Sequence, residues 1–305
     1  MTPWKFVHVT DMQPGSPRSF RYAPAWMDNW RTAMQQIRDI MPELILVGGD
    51  LTRDGAIHDF EFVQAKADLD TLSAPYFVIP GNMDTGNKHA PYDGARGRDD
   101  PALNVTGPQL TAFANHFGPV QWTTVQHDVR FTGFYAALAG TGLPQEAEMW
   151  ALLESLADMP PTRHHVVMTH YPLFLDQPDE PTWDLRQTDE YLPWYFTIDR
   201  DHRQRMIRLL RASGMNVALS GHIHCYVVRE FDGVTWIKAP ATSAAQFGDH
   251  WPDSDSTLGF LEFTVDGDTI SHRRIPLSRV STAVGYGPGG HPPAAARDYS
   301  LAWEQ

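Results

Sequence analysis

With 305 residues, 42% of them hydrophobic and 20% charged, the chain is long enough to bury a sizeable core and too apolar to be disordered. A formal net charge of −13 argues against broad binding to nucleic acid or anionic membrane, which needs a basic surface. It leaves room for a small anionic substrate, because bound cations would dominate the field inside a pocket.

The first residues, Met1 to Lys5, show no basic segment followed by an apolar one. No stretch approaches the roughly 18 apolar residues of a membrane span. The single cysteine, Cys225, rules out an internal disulfide framework and is expected to be a buried, inert thiol. The cytoplasm is the expected compartment. Lys5–Thr10 reads as a first strand. Met27, Trp30, Met34, Ile37 and Met41 recur at helical spacing across Trp26–Met41, and Pro42 stops the helix. Leu44–Val47 is a continuous apolar run, as expected of a strand covered on both faces. A helix over Phe60–Leu72 and a strand over Tyr76–Ile79 follow, an alternation that predicts an α/β sheet with right-handed crossovers.

Residues 84–108 are polar and rich in Gly, Pro and Asp, and read as a long loop. Strands are expected near Val120–Val125 and Val129–Phe134, a helix near Gln145–Ala157, and a strand over His165–Met168. A second long loop, Leu173–Asp199, carries Trp183, Tyr191, Trp194, Tyr195 and Phe196, whose expected role is loop packing. A helix over Asp201–Ala212 leads to a strand at Val217–Ser220. Strands at Tyr226–Phe231, Val234–Ile237, Leu258–Val265 and Thr269–Ile275 are joined by hairpin signals at Asp232-Gly233 and Asp266-Gly267. The expected organisation is one domain over 1–280 and a Gly/Pro-rich extended or disordered tail over 281–305.

Five apolar stretches end in a side chain able to bind metal. They are Thr10-Asp11-Met12-Gln13, Gly48-Gly49-Asp50, Gly81-Asn82-Met83-Asp84, Thr169-His170-Tyr171-Pro172 and Gly221-His222-Ile223-His224. Ligands of open α/β sheets bind outside the carboxyl ends of the strands, so one sheet edge can present all five. A lone Gly-Asp after a strand is more often a turn; the force lies in the set. Carboxylate, amide oxygen and imidazole together suit Mn, Fe, Zn or Mg, not Cu(I) or an iron–sulfur cluster.

In this order, across residues 11–224, the motifs resemble the calcineurin-like metallophosphoesterase superfamily. The resemblance implies a four-layer αββα sandwich with two mixed β-sheets. It also implies two divalent or mixed-valence metal ions, Mn first, with Fe, Zn or Mg as alternatives. Asp11, Gln13 and His224 would serve one metal, Asn82, His170 and His222 the other, and Asp50 would bridge them. A metal-bridging hydroxide would then attack phosphorus in line. Asp50, Asn82 and Asp84 are the implied catalytic residues, Asp84 by orienting a ligand histidine. Asn82, His222 and Tyr195 are the implied substrate contacts. The implied substrate is a small phosphorylated molecule or a phosphoprotein, with no nucleic acid and no membrane as partner.

Two positions depart from the pattern. Gln13 stands where the first motif has His, and its amide oxygen is a harder, weaker ligand than imidazole. This Asp-x-Gln form, with His170–Phe174 and Tyr195–Ile198, resembles the subgroup of a serine/threonine phosphatase with a calcineurin-like phosphoesterase domain. Met83 stands where the third motif has a His that aids the leaving group. His58, His89 and His250 are candidate substitutes. Lys88, Arg96 and Arg98 are expected to be solvated loop charges, as are Asp176, Asp179 and Glu180. Hydrolysis of a phosphomonoester or phosphodiester is the leading expectation. A cyclic nucleotide phosphodiesterase, or a weakly active metal-binding scaffold that recognises a phosphorylated partner, are the alternatives.

Overall fold

The computed structural model describes residues 2–90, 101–246, 251 and 253–287. β1 (Trp4–Val9), β2 (Leu44–Val47) and β3 (Tyr76–Val78) run parallel, linked by α1 (Pro24–Ile40) and α2 (Asp59–Asp70). A single turn, α3 (Asn82–Thr85), follows β3, and α4 (Gly107–Phe117) leads toward the second sheet. That sheet holds β4 (Trp122–Gln126), β5 (Val129–Gly133), β6 (His164–Met168), β7 (Val217–Ser220), β8 (Val227–Phe231) and β9 (Val234–Lys238), in the order β4-β5-β6-β7-β9-β8. α5 (Pro144–Ser155), α6 (Tyr191–Tyr195) and α7 (Arg200–Ala212) lie between its strands in sequence. The chain then returns to the first sheet through β10 (Gly259–Asp266) and β11 (Thr269–Pro276), giving β11-β10-β1-β2-β3. Both sheets are mixed, with parallel centres and antiparallel additions.

Period-two alternation sorts the side chains of each strand. Trp4, Phe6, Leu44 and Leu46 face across to Phe131, Val166, Met168 and Leu219 and form the core between the sheets. Val7, Val9, Ile45 and Val47 turn the other way, toward the apolar stripe of α1 at Trp30, Met34 and Ile37. On the far side, Met149 and Leu153 of α5 and Met206 and Leu210 of α7 cover the outer face of the second sheet, with Val167 and Trp236. The result is the expected four-layer αββα sandwich.

The sequence reading missed α4. Thr106 and Gln109 form a capping box and Pro108 occupies the first turn, so the helix begins where the loop was expected to end. Phe113 of α4 meets Phe62 of α2 edge-on at 5.9 Å. The second hairpin also differs. Asp266 pairs with Thr269, so its centre is Gly267-Asp268, whereas Asp232-Gly233 turns as expected with both φ values positive. Past β11, Tyr286 exchanges two backbone hydrogen bonds with Tyr22; residues 288–305 lie outside the described residues. No helix among the described residues is long and apolar enough to cross a membrane.

A buried polar network ties the loop after β1 to the loop after β2. Arg21 donates from Nε and Nη2 to both oxygens of Asp54, at 2.6 and 2.5 Å. Glu61 accepts from the backbone N–H groups of Arg53 and Asp54 and from the Ser19 hydroxyl. Burial, with Asp54 beside it, pushes the Glu61 carboxyl up to about 7 from an ordinary 4.5. The folded chain therefore holds this proton to higher pH than the unfolded chain does. Stability should fall by about 3 kcal/mol as pH rises between those two values and level off above. Glu61→Gln, which keeps the shape without the charge, is expected to flatten that interval in urea unfolding. An unchanged slope would show that the proton sits elsewhere.

Candidate metal centre

Asp11, Asp50, Asn82, His170 and His222 stand just past the carboxyl ends of β1, β2, β3, β6 and β7, and His224 follows two residues later. The facing of the two sheets brings these ends together. Asp11, Gln13, Asp50, His222 and His224 all adopt left-handed backbone, with φ of 53°, 41°, 51°, 68° and 55°. Each costs on the order of 1–3 kcal/mol for a residue with a Cβ and persists only where its surroundings hold it. Here the holding bonds cross between loops: Asp11 N–H to Gly49 O at 3.0 Å, Gln13 N–H to Asp50 O at 3.1 Å, and His222 N–H to the Asp11 carboxylate at 3.0 Å. A Cβ at Gly81 would overlap the Asp50 carboxylate, so this close approach requires glycine.

His170 shows what the cleft is built for. Its Nδ1 lies 2.9 Å from the Gly48 carbonyl oxygen, a contact that takes an N–H there and turns Nε2 inward. That Nε2 faces Asn82 Oδ1 at 3.1 Å, Asp50 Oδ1 at 3.4 Å and Asp11 Oδ1 at 3.9 Å. His224 repeats the arrangement, with Nδ1 2.6 Å from Ala244 O and Nε2 3.1 Å from Asp11 Oδ1. His222 uses Nε2 instead, 3.3 Å from Tyr195 O, which leaves Nδ1 as its acceptor. Asp11, Asp50 and His224 present buried ligand atoms within 4.8 Å of one another.

Carboxylate and amide oxygens therefore converge on two inward ring nitrogens, an arrangement that a proton or a cation between them stabilises, and Asp11 draws the His224 ring above its ordinary value against the effect of burial. Burial pushes the Asp50 carboxyl up to about 7; His170 pulls against the shift, and Asp11 and Asp84 add to it. Burial works to raise Asp11 too, but His224 and His170 together draw it below the usual carboxylate range. Burial, then His170, holds His222 well below its ordinary value. Gln13 donates Nε2–H to Asp50 Oδ2 at 2.6 Å, while its buried Oε1 has no hydrogen-bond partner. An orphaned amide oxygen beside two carboxylates and three imidazoles is a donor set for divalent metal ions, and the residues present fit them.

The other predicted residues fall as follows. Asp84 was expected to orient a histidine. It accepts instead from the N–H groups of Leu51, Thr52 and Gly81 and from the Thr52 hydroxyl, so it braces the Asp50 and Asn82 loops, while backbone carbonyls orient the histidines. Tyr195 reaches the cleft, its phenol oxygen 3.4 Å from Asn82 Nδ2. His58 stacks on Phe60 and His89 contacts Val105 O, neither bond reaching the cluster; His250, Arg96 and Arg98 lie outside the described residues. Lys88 is not solvated: it is buried, donates to Thr197 O at 2.7 Å and lies over the Trp194 ring. Glu180 is buried as well and caps the N–H groups of Leu175, Asp176 and Gln177.

Sequence reasoning missed three residues. Asn87 Oδ1 accepts from Asn82 Nδ2 at 3.1 Å and so turns the Asn82 oxygen toward the cleft. Gln246 Nε2 lies 3.1 Å from His224 Nε2. His8 is fully buried with both ring nitrogens unpartnered, and burial holds it down at about 3. No local motif marks any of them.

A family model described as calcineurin-like phosphoesterase matches residues 5–226. The serine/threonine-protein phosphatase CPPED1 of Danio rerio is 25% identical over 303 residues, covering 92% of this chain and 86% of that protein. Two solved structures share the fold. Purple acid phosphatase PPD1 from yellow lupin seeds has a TM-score of 0.61 at 14% identity, covering 93% of this chain and 53% of its own. A dimetal phosphatase from Danio rerio has a TM-score of 0.56 at 13% identity, covering 92% and 98%.

Asn87→Ala releases the Asn82 amide without touching a proposed ligand. It is expected to weaken Mn binding by about 10- to 100-fold in calorimetric titration, with the circular dichroism spectrum unchanged. Unchanged affinity would mean that Asn82 is oriented by other contacts.

Proposed function

The chain belongs to the calcineurin-like phosphoesterase family and is a metal-dependent phosphoric ester hydrolase, and on that premise we propose that it is a phosphatase acting on phosphomonoesters. The observation that carries the reading is the convergence of the Asn82, Asp50 and Asp11 side-chain oxygens on His170 Nε2. In this reading Asp11, Gln13 and His224 hold one divalent ion and Asn82, His170 and His222 a second, with Asp50 between them. Manganese is favoured over zinc, because Gln13 offers an amide oxygen in place of an imidazole. When bound, such ions supply an activated water at neutral pH and neutralise charge on the phosphate oxygens.

The protein's own part is positioning. Met83 N–H, 2.8 Å from Asp50 Oδ1, and Gln13 Nε2–H on Asp50 Oδ2 fix both oxygens of the central carboxylate. Asn87 sets the Asn82 amide so that its oxygen faces the cluster and its N–H faces the cleft. Tyr195 and Phe196 pack beside the His222 ring, 5.2 and 5.0 Å between centroids, and exclude water from that side. A phosphorylated small molecule or phosphoprotein suits the site, and the name of the zebrafish relative supports a phosphatase. The net charge of −13 disfavours a nucleic-acid or membrane partner. The single cysteine is consistent with a cytoplasmic setting.

Gln13, whose amide nitrogen occupies an Asp50 oxygen, favours a second reading, a metal-binding scaffold with little turnover. The two readings part on kinetics. With Mn the protein is expected to hydrolyse p-nitrophenyl phosphate in preference to bis-p-nitrophenyl phosphate, and Asp50→Asn is expected to bring turnover down to the protein-free level. Bound metal without turnover of either ester would establish the scaffold, and a preference for the diester would move the assignment to a phosphodiesterase.

A further inference from the structure

The buried ammonium of Lys238 is short of a counter-charge. The residue ends β9, pairs with Ser220 of β7, and is 6% exposed. An ammonium offers three donors. Lys238 Nζ donates to Leu175 O at 2.5 Å and lies 5.6 Å from the centre of the Phe174 ring. No carboxylate among the described residues forms an ion pair with it. Glu180 is engaged instead with the N–H groups of Leu175, Asp176 and Gln177, and with Arg203 at 4.0 Å. Burial pushes the Lys238 ammonium down to about 8 from an ordinary 10.5; Arg229 adds to the shift, and Glu180 and Asp176 pull against it. The charge is therefore still carried at neutral pH, and a buried charge held by a single carbonyl is costly.

The same lysine lines a pocket of about 490 Å³. Leu175, Ile223 and Trp251 give the pocket apolar walls, and Arg229 is its second cation. Arg229 pairs with Asp176 at 3.2 Å and with Asp253 at 3.6 Å. Those carboxylates are 72% and 81% exposed, and ion pairs so open to water hold weakly. None of the proposed metal ligands lines the pocket. It nevertheless adjoins the metal centre. Ile223 lies between His222 and His224 in the chain, and Trp251 meets Phe196 edge-on at 5.5 Å, which in turn packs beside the His222 ring.

We propose that this pocket binds a small organic oxyanion, a carboxylate or phosphate carried on an apolar body, with Lys238 and Arg229 as its anchors. The anion supplies the counter-charge that Lys238 does not find within the protein. The Arg229 guanidinium offers the parallel donors that carboxylate and phosphate oxygens accept side by side. To reach them the ligand displaces Asp176 and Asp253 toward water, where both already lie for the most part. Its apolar body fills the space beside Leu175, Ile223 and Trp251. The site stands apart from the phosphatase reading, since it needs neither turnover nor a metal ion.

The test follows Lys238 directly. Lys5, Lys66, Lys88 and Lys238 are the only lysines of the chain, so protein isotope-labelled at lysine Cε gives few NMR signals, and Lys238→Met identifies the one of interest. The signals are titrated with pH in the protein alone, with benzoate and with phenylphosphonate, two probes that share a ring and differ in the anion. Under a saturating probe Lys238 is expected to titrate at about 9 or above, while the partly exposed Lys5 and Lys66 keep their own values. The probe that acts at the lower concentration assigns the anionic group. Arg229→Ala is expected to raise the concentration needed by about tenfold or more. A Lys238 signal indifferent to both probes would overturn the proposal, as would equal movement of all four lysines or an unchanged probe affinity in Arg229→Ala.

Discussion

Two buried carboxylates and three imidazoles crowd the place where the strand ends of two sheets meet. In a low-dielectric interior the two carboxylates repel each other, and much of the surrounding structure serves to hold them against that repulsion. The restraint comes from behind. Gly48 O and Ala244 O orient two histidines, His222 N–H and the Thr10 hydroxyl fix Asp11, and Met83 N–H fixes Asp50. Four of these residues, and Gln13 beside them, sit in left-handed backbone, a strain that the crossed bonds between loops sustain. A divalent cation between them would relieve the repulsion, which makes these groups the candidate metal site.

The loops that carry the ligands are themselves braced. Arg21, Asp54 and Glu61 join the first two loops, and Asp84 gathers Leu51, Thr52 and Gly81 around one carboxylate. This explains how Met83 can occupy its position without disturbing the cluster. The contact that Asp50 needs from residue 83 is a backbone N–H, which every residue but proline supplies. What the side chain could have added, a proton, must come from elsewhere. Gln13 keeps an oxygen available to a cation but gives up imidazole's affinity, and its N–H adds a restraint on Asp50 that histidine could not make in the same way.

The cleft is also closed from the side by a segment that carries no ligand. α6 sets Tyr195 between Asn82 and His222, with Lys88 and Trp194 anchoring the turn. Neighbouring long loops thus serve the site by packing as much as by chemistry, which is why charges such as Lys88 and Glu180 are found inside rather than in water.

The sequence by itself determined the strands of both sheets, the order of the ligand motifs and the family they resemble. Those signals are local: apolar runs of strand length, and a ligand placed just beyond each run. It also located both hairpins after β7, though one turn shifted by a residue because strand pairing, not the Asp-Gly dipeptide, set the register. The start of α4 was written in Thr106, Pro108 and Gln109 and was overlooked beneath a loop-like composition. Only the tertiary structure decided the rest. Asn87 matters because α3 turns it back onto Asn82, and Gln246 because a distant loop meets His224. Each of those roles is a contact between segments far apart in the chain or turned back on themselves, and such contacts leave no periodicity or spacing for a sequence to show.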